Sequence, residues 1–345
     1  MREPSRKGRD RQSYPEFDRR RLSVRPLASR EHDMSVRDVL TLAGARRAAG
    51  RFDHPDMPAV ADAIAAAVER KAPVVLLMGA HVIKQGLSRF IIDFIRRGWV
   101  SAVACNGACA IHDYELARIG ASTESVARYI SEGQFGLWRE TSELNDAVNA
   151  GDTAGLGFGR AVGKAIAEGT DAKFPYKDLS IFAAAWQCGV PATVHVGIGY
   201  DIVHEHPNFD PAAAGRASYR DFLTLASVLE RLDGGVVLCF GTAVMGPEVY
   251  LKALAMARNV AAQEGRTITR ITSAVFDLLP LAGDLRAEAP KDSPEYYFRP
   301  YKTILVRTVK DGGTSYYIRG DHRRTIPTLH GLISARTAGG KKKTR

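Results

Sequence analysis

An imidazole beside a carboxylate, His112 and Asp113, closes a run of small residues in VACNGACAIHDYELARIG, Val103 to Gly120. An imidazole handles protons near neutral pH, and a carboxylate accepts hydrogen bonds or holds a cation. The small run Asn106-Gly107-Ala108-Cys109-Ala110 lets a backbone or a ligand come close. It follows an apolar segment, and the C-terminal ends of strands are where open α/β sheets bind ligands. The competing reading is an ordinary tight turn with Asp113 as a helix cap. A second group, His195, His204, Glu205 and His206, offers two or three imidazoles and a carboxylate, the donor types of a zinc or iron site. That makes a metal-dependent hydrolase the alternative class of enzyme, against a solvated loop for HEHP. The group has no second histidine at helical spacing and no cysteine beside it, so no stoichiometric transition metal is expected. The four cysteines, Cys105, Cys109, Cys188 and Cys239, form no C-x-x-C pair and read as free thiols in apolar segments.

These residues have to be positioned by regular elements. DMPAVADAIAAAVER reads as a helix with Asp56 at its start, and APVVLLMGA as a buried strand ending at Gly79. GLSRFIIDFIRRG has helical apolar spacing, WVSAVACNGA is the next strand, and IHDYELARIG the next helix. GLGFGRAVGKAIAEG is glycine-rich but follows polar residues and has Arg160 at the third glycine position, so it predicts close helix packing rather than a dinucleotide turn. Later segments alternate again: DLSIFAAAWQCG, VPATVHVGIG, DFLTLASVLERLDGG, VVLCFGTAVMG, PEVYLKALAMARNVAAQEG and TITRITSAVFD. YKTILVRTV with TSYYIRGDH suggests a closing strand pair. SVRDVLTLAGARRAAG reads as a short amphipathic helix before the sheet. The whole predicts a doubly wound α/β domain with a mostly parallel sheet and helices on both faces.

The 345 residues are 45% hydrophobic and 25% charged, as in a soluble globular chain. No apolar run is long enough for a membrane helix, and the basic N-terminus has no apolar segment after it. A soluble cytoplasmic protein with no membrane partner is expected. The net charge of +10 sits at the ends. Residues 1–36 hold ten basic and six acidic side chains, residues 336–345 hold five basic and none acidic, and the body is close to neutral. The reading is a disordered basic arm over 1–36, one domain over 37–335 and a disordered tail over 336–345, without specific nucleic-acid recognition.

Taken in order, GAHVIKQGLSRFIIDFIRRGWVSAVACNGACAIHDYELA, RAVGKAIAEG, SIFAAAWQCGVPA, YDIVHEHP, VVLCFGTAVMGPEVYLKALAMAR and YYFRPYKTI resemble deoxyhypusine synthase and its bacterial relatives, from about Pro73 to Ile333. The resemblance implies a fold that binds NAD at the strand ends, assembled as a homotetramer. It implies amine oxidation to an imine and transfer of the carbon chain through a lysine. Carried over by position, Lys302 matches the nucleophile and Asp201 the carboxylate on a substrate ammonium. Gly79, Ala80, His81 and Gly86 fall on the first NAD loop, and Asn106, Gly107 and Ala108 on the second. His112 and Asp113 replace an acidic pair at the ribose, and Gly241 and Thr242 fall on a later glycine turn.

The chain departs from the family where Gly246-Pro247 replaces a histidine pair, where Phe276-Asp277-Leu278 lacks an acidic loop, and at Pro300, where a tryptophan is usual. A polyamine needs carboxylates and aromatics, so the expected substrate is an amine other than the usual pair of spermidine and a translation factor. A third reading is a non-catalytic NAD-binding assembly.

Overall fold

The computed structural model describes residues 14–43 and 52–340. Its centre is a six-stranded, fully parallel sheet of β1 (Val74–Met78), β2 (Ala102–Asn106), β3 (Ala192–His195), β4 (Val236–Phe240), β5 (Thr272–Asp277) and β6 (Thr314–Arg319). The spatial order is β3-β2-β1-β4-β5-β6. The chain winds outward from β1 to β3, then returns to lay β4 on the other side of β1. This is the mononucleotide-pair order of doubly wound folds, and its switch point lies between β1 and β4.

The continuous apolar run of β1 is explained by its two covered faces. Val74, Leu76 and Met78 pack into one core with helices α1 (Met57–Glu69), α2 (Ser88–Arg96) and α3 (Gly107–Ile119). Val75 and Leu77 pack into a second core on the opposite face, with α7 (Pro211–Leu229) and α8 (Met245–Gln263). Between β2 and β3 run α4 (Arg139–Thr153), α5 (Phe158–Ala167) and α6 (Ile181–Cys188). Glycines in α5 serve packing, as expected: a Cβ at Gly159 or Gly163 would strike the Ala192 or Phe182 carbonyl oxygen at 1.8 or 2.5 Å. α9 (His322–Gly340) ends the described chain.

Three expectations need correction. Residues 300–307 form a π-type helical turn rather than a strand, with Thr308 N–H donating to the Thr303 carbonyl five residues back at 3.1 Å. Its β-branched composition suggests a strand, but six of its eight residues are buried, with Tyr301, Ile304, Leu305 and Val306 packed into the second core as a helical turn. From Arg19 onward the arm is docked, Arg19 Nη1 donating to the His206 and Phe209 carbonyls. Leu27 is fully buried beside Tyr129 and Trp138, and Met34–Ser35 pairs antiparallel with Ala121–Ser122. The tail is helical to Gly340, with Arg336 paired to Asp62. Residues 1–13 and 341–345 lie outside the described part, as do 44–50 of the helix expected over 35–50; its described part is not a continuous helix, Val36–Asp38 being a single tight turn followed by extended chain.

Candidate functional site

The small-residue turn at the end of β2 is small for an internal reason. Asn106 caps α3, its Oδ1 accepting from the Cys109 N–H at 3.3 Å. A Cβ on Gly107 would lie 2.1 Å from Asp201 Oδ2. The space that a cofactor backbone was expected to use is filled by the carboxylate of Asp201, from the loop after β3. Asp113 is corrected more sharply. It is fully buried, and Ser180 Oγ and the Ile181 N–H donate to its two oxygens at 2.5 and 2.7 Å. It holds the start of α6 and presents no oxygen to a ribose. Burial pushes it up to about 7 against those two hydrogen bonds.

His112, one residue earlier, points the other way. Its Nδ1 lies 2.7 Å from Ser122 Oγ, and Ser122 donates to Glu115 Oε2 at 2.8 Å. With the serine proton committed to the carboxylate, Nδ1 carries the imidazole proton and Nε2 keeps its lone pair. Burial holds His112 down to about 4, so the ring is neutral at pH 7. Glu115 lies three residues on, on the same helix face. Its carboxylate takes Arg30 from the arm in a two-point pair at 2.9 and 2.7 Å, and Thr141 Oγ1 at 2.6 Å. Burial opposes the charge on Glu115, but Arg30 holds it below the ordinary carboxylate range.

These groups line one cavity of about 240 Å³ at the C-terminal side of the sheet, together with Ala108, Lys84, Glu124 and Asp201. Asp201, expected at a substrate ammonium, and His112, expected beside a ribose, thus line the same cavity. The Asp201 side chain is 7% exposed, and its only ion-pair contact among the described residues is His204 Nε2 at 4.0 Å. Burial pushes it up to about 6. Arg30, Lys84, Glu115 and Glu124 were not anticipated. Glu115 had a signal in its i,i+3 spacing from His112; Arg30 had none, because it arrives from a segment read as disordered.

At the switch point, Gly79 donates its N–H to the Phe240 carbonyl at 2.9 Å, and a Cβ there would lie 2.1 Å from the Gly241 oxygen. Gly241 is left-handed, at φ 59°, with His322 Nε2 2.9 Å from the position a Cβ would take. Thr242 Oγ1 accepts from the Gly246 N–H at 2.9 Å and shapes the start of α8. Ala80 and the exposed His81 follow Gly79 at the same sheet edge. Gly86 belongs elsewhere: a Cβ would strike the Asp38 carbonyl at 2.2 Å, and its own carbonyl accepts from Leu40 at 2.8 Å.

The other predicted groups do not converge. Lys302 Nζ lies 3.5 Å above the Tyr296 ring, an arrangement that binds the ammonium, and Arg299 pairs with Glu248 instead of approaching it. Lys302 is not among the groups lining the Asp201 cavity. His195 Nε2 meets Thr193 Oγ1 at 3.0 Å, and His206 Nε2 meets the Gly136 carbonyl at 2.9 Å. His204 Nδ1 accepts from Gly199 and Asp201 N–H at 3.1 and 3.3 Å. Among the described residues no three histidine, cysteine or acidic side chains form a metal-holding group. Cys105, Cys109 and Cys239 are buried free thiols, whereas Cys188 is exposed.

No protein-family model matches the chain, and no curated protein matches it in sequence. Among solved structures it is similar to the cyanobacterial arginine dihydrolase ArgZ, at 14% identity and a TM-score of 0.48, over 82% of this chain and 33% of that one. It is similar to AgrE in ternary complex with ornithine and NAD+, at 13% identity and 0.47, over 88% and 34%. The chain therefore spans about a third of those two proteins. A deoxyhypusine synthase candidate from Entamoeba histolytica aligns at 6% identity and 0.42, over 84% and 92%. At these identities and scores none of them assigns a ligand or a reaction to this chain. The fold itself is α/β with helices on both faces of a parallel sheet, and no described helix is long and apolar enough to cross a membrane.

Proposed function

We propose that the chain binds an amine in the Asp201 cavity and NAD in the neighbouring crevice between β1 and β4, and acts as an NAD-dependent enzyme that oxidises that amine. The observation that carries the reading is Asp201. A nearly buried carboxylate without a cationic partner is costly, and an ammonium entering the cavity beside it removes that cost.

The reading of the crevice as a dinucleotide site rests on its place at the switch point, outside the carboxyl ends of the strands. Gly241 and His81 are exposed there, and the exposed Val244 and Leu278 stand just past the ends of β4 and β5. Ala80, His81 and Gly241 would border the cofactor; the buried Gly79 and Thr242 shape the turns beneath it, and Asp113, Gly86 and Gly107 would not touch it. When bound, NAD supplies the hydride acceptor. The chain's own groups set up the substrate. Asp201 binds and orients the ammonium. His112 Nε2, with its lone pair free because Nδ1–H is tied to Ser122, is placed to accept a proton as the ammonium becomes the neutral amine that can lose hydride. Arg30 holds Glu115 so that the Ser122–His112 chain keeps this tautomer.

Lys302 has no part in this scheme, because its contacts lie with Tyr296. The test is NADH formation with a panel of primary amines, comparing wild type with Asp201→Asn and His112→Ala. Turnover lost in both variants supports the reading; turnover unchanged in Asp201→Asn overturns it.

A further inference from the structure

The charges around the cavity say more than that an amine binds. Five charged side chains line it: Arg30, Lys84, Glu115, Glu124 and Asp201. Glu115 is satisfied by both nitrogens of Arg30, by Ser122 and by Thr141. Glu124 takes Trp138 Nε1 at 2.8 Å and the Gly136 N–H at 3.2 Å, and Arg30 Nη1 lies 3.9 Å from it. Arg30 is thereby committed to its own chain. Two groups remain. Asp201 has no cation closer than His204. Lys84 is exposed and makes no ion pair among the described residues, yet borders the same cavity.

One unmatched carboxylate and one unmatched ammonium facing a single small space are complementary to a zwitterion. Building on the amine-binding reading, we infer that the ligand is a short amino acid, its ammonium on Asp201 and its carboxylate toward Lys84, rather than a diamine. A diamine would set its second ammonium against Lys84, and the only other carboxylate available to it, Glu124, already has both oxygens hydrogen-bonded. Hydrophobic contact comes from Ala108, Ile111 and Ile202, enough for an alkyl chain of a few carbons between the charges.

The test is calorimetric titration of γ-aminobutyrate, butylamine and putrescine into wild type, Lys84→Glu and Asp201→Asn at low salt. Wild type should prefer γ-aminobutyrate over putrescine by at least about fivefold, the size of one charge pair at a solvent-exposed contact. Lys84→Glu, a change at an exposed position, should reverse that order while its melting temperature stays near wild type. Asp201→Asn should weaken all three. Putrescine binding as tightly as γ-aminobutyrate in wild type, or an unchanged order in Lys84→Glu, overturns the inference. Butylamine binding that depends on Asp201 but no zwitterion preference defeats this inference alone. No binding of any of the three to wild type defeats the amine reading with it.

Discussion

Replacing Asp113 with alanine separates its two readings, cofactor ligand and buried cap. The structure commits both oxygens to Ser180 Oγ and the Ile181 N–H. Alanine leaves two buried donors without acceptors, each worth about 1–3 kcal/mol, less what is regained by no longer burying a carboxyl group. A net loss of about 2–4 kcal/mol is expected at pH 4.5, with dinucleotide affinity unchanged. The pH dependence gives a second signature. A carboxyl raised from 3.8 to about 7 binds its proton more tightly in the folded state. Its contribution is therefore fully present below pH 4 and is lost as pH rises through 7. The difference between wild type and Asp113→Ala should shrink over that window, by roughly 4 kcal/mol at most. Urea unfolding at pH 4.5 and 7.5, with NAD calorimetry on the folded variant, reads both. A variant as stable as wild type at pH 4.5 that no longer binds NAD would refute the cap and restore the ribose contact.

Arg30→Met should cost about 3–5 kcal/mol in urea unfolding, because Glu115 stays buried without its cation, and adding Glu115→Gln should recover part of the loss. A chain beginning at residue 37 should melt well below the full chain, since it lacks Leu27 and Arg30; an unchanged melting temperature would show the arm's docking to be inconsequential. Lys302→Arg should bind amines as wild type does by calorimetry, and a large loss would bring Lys302 back to the site. The homotetramer expected from the family resemblance should appear in light scattering as about four times 37.6 kDa, and a monomer mass would remove it.

The sheet was legible because β1, β2 and β4 are buried on both faces, which writes them as unbroken apolar runs between helical periods. The 300–307 segment was not, because Ile304, Val306 and Thr303 are β-branched and local preference pointed to a strand; packing of Tyr301, Ile304 and Leu305 decided otherwise. The site was half legible. His112 and Asp201 meet in one cavity, but nothing local in Asn106-Gly107-Ala108 says that the glycine makes room for a carboxylate nearly a hundred residues away rather than for a ligand. Asp113 was misread for a similar reason, since sequence gives the residue type and not the direction in which its oxygens turn. Arg30 was hidden by the charge of its neighbours, which gave the arm the composition of a disordered segment while Leu27 and Arg30 anchor it.

The central claim is that Asp201 is a nearly buried carboxylate, without an Arg or Lys partner among the described residues, that holds a substrate ammonium. Carbon-detected NMR of the Asp201 carboxyl, titrated with pH with and without saturating butylamine, tests it directly. The account predicts a carboxyl that titrates near 6 in the free protein, from burial, and well below that when an ammonium lies against it. A titration that does not move on adding the amine would contradict it.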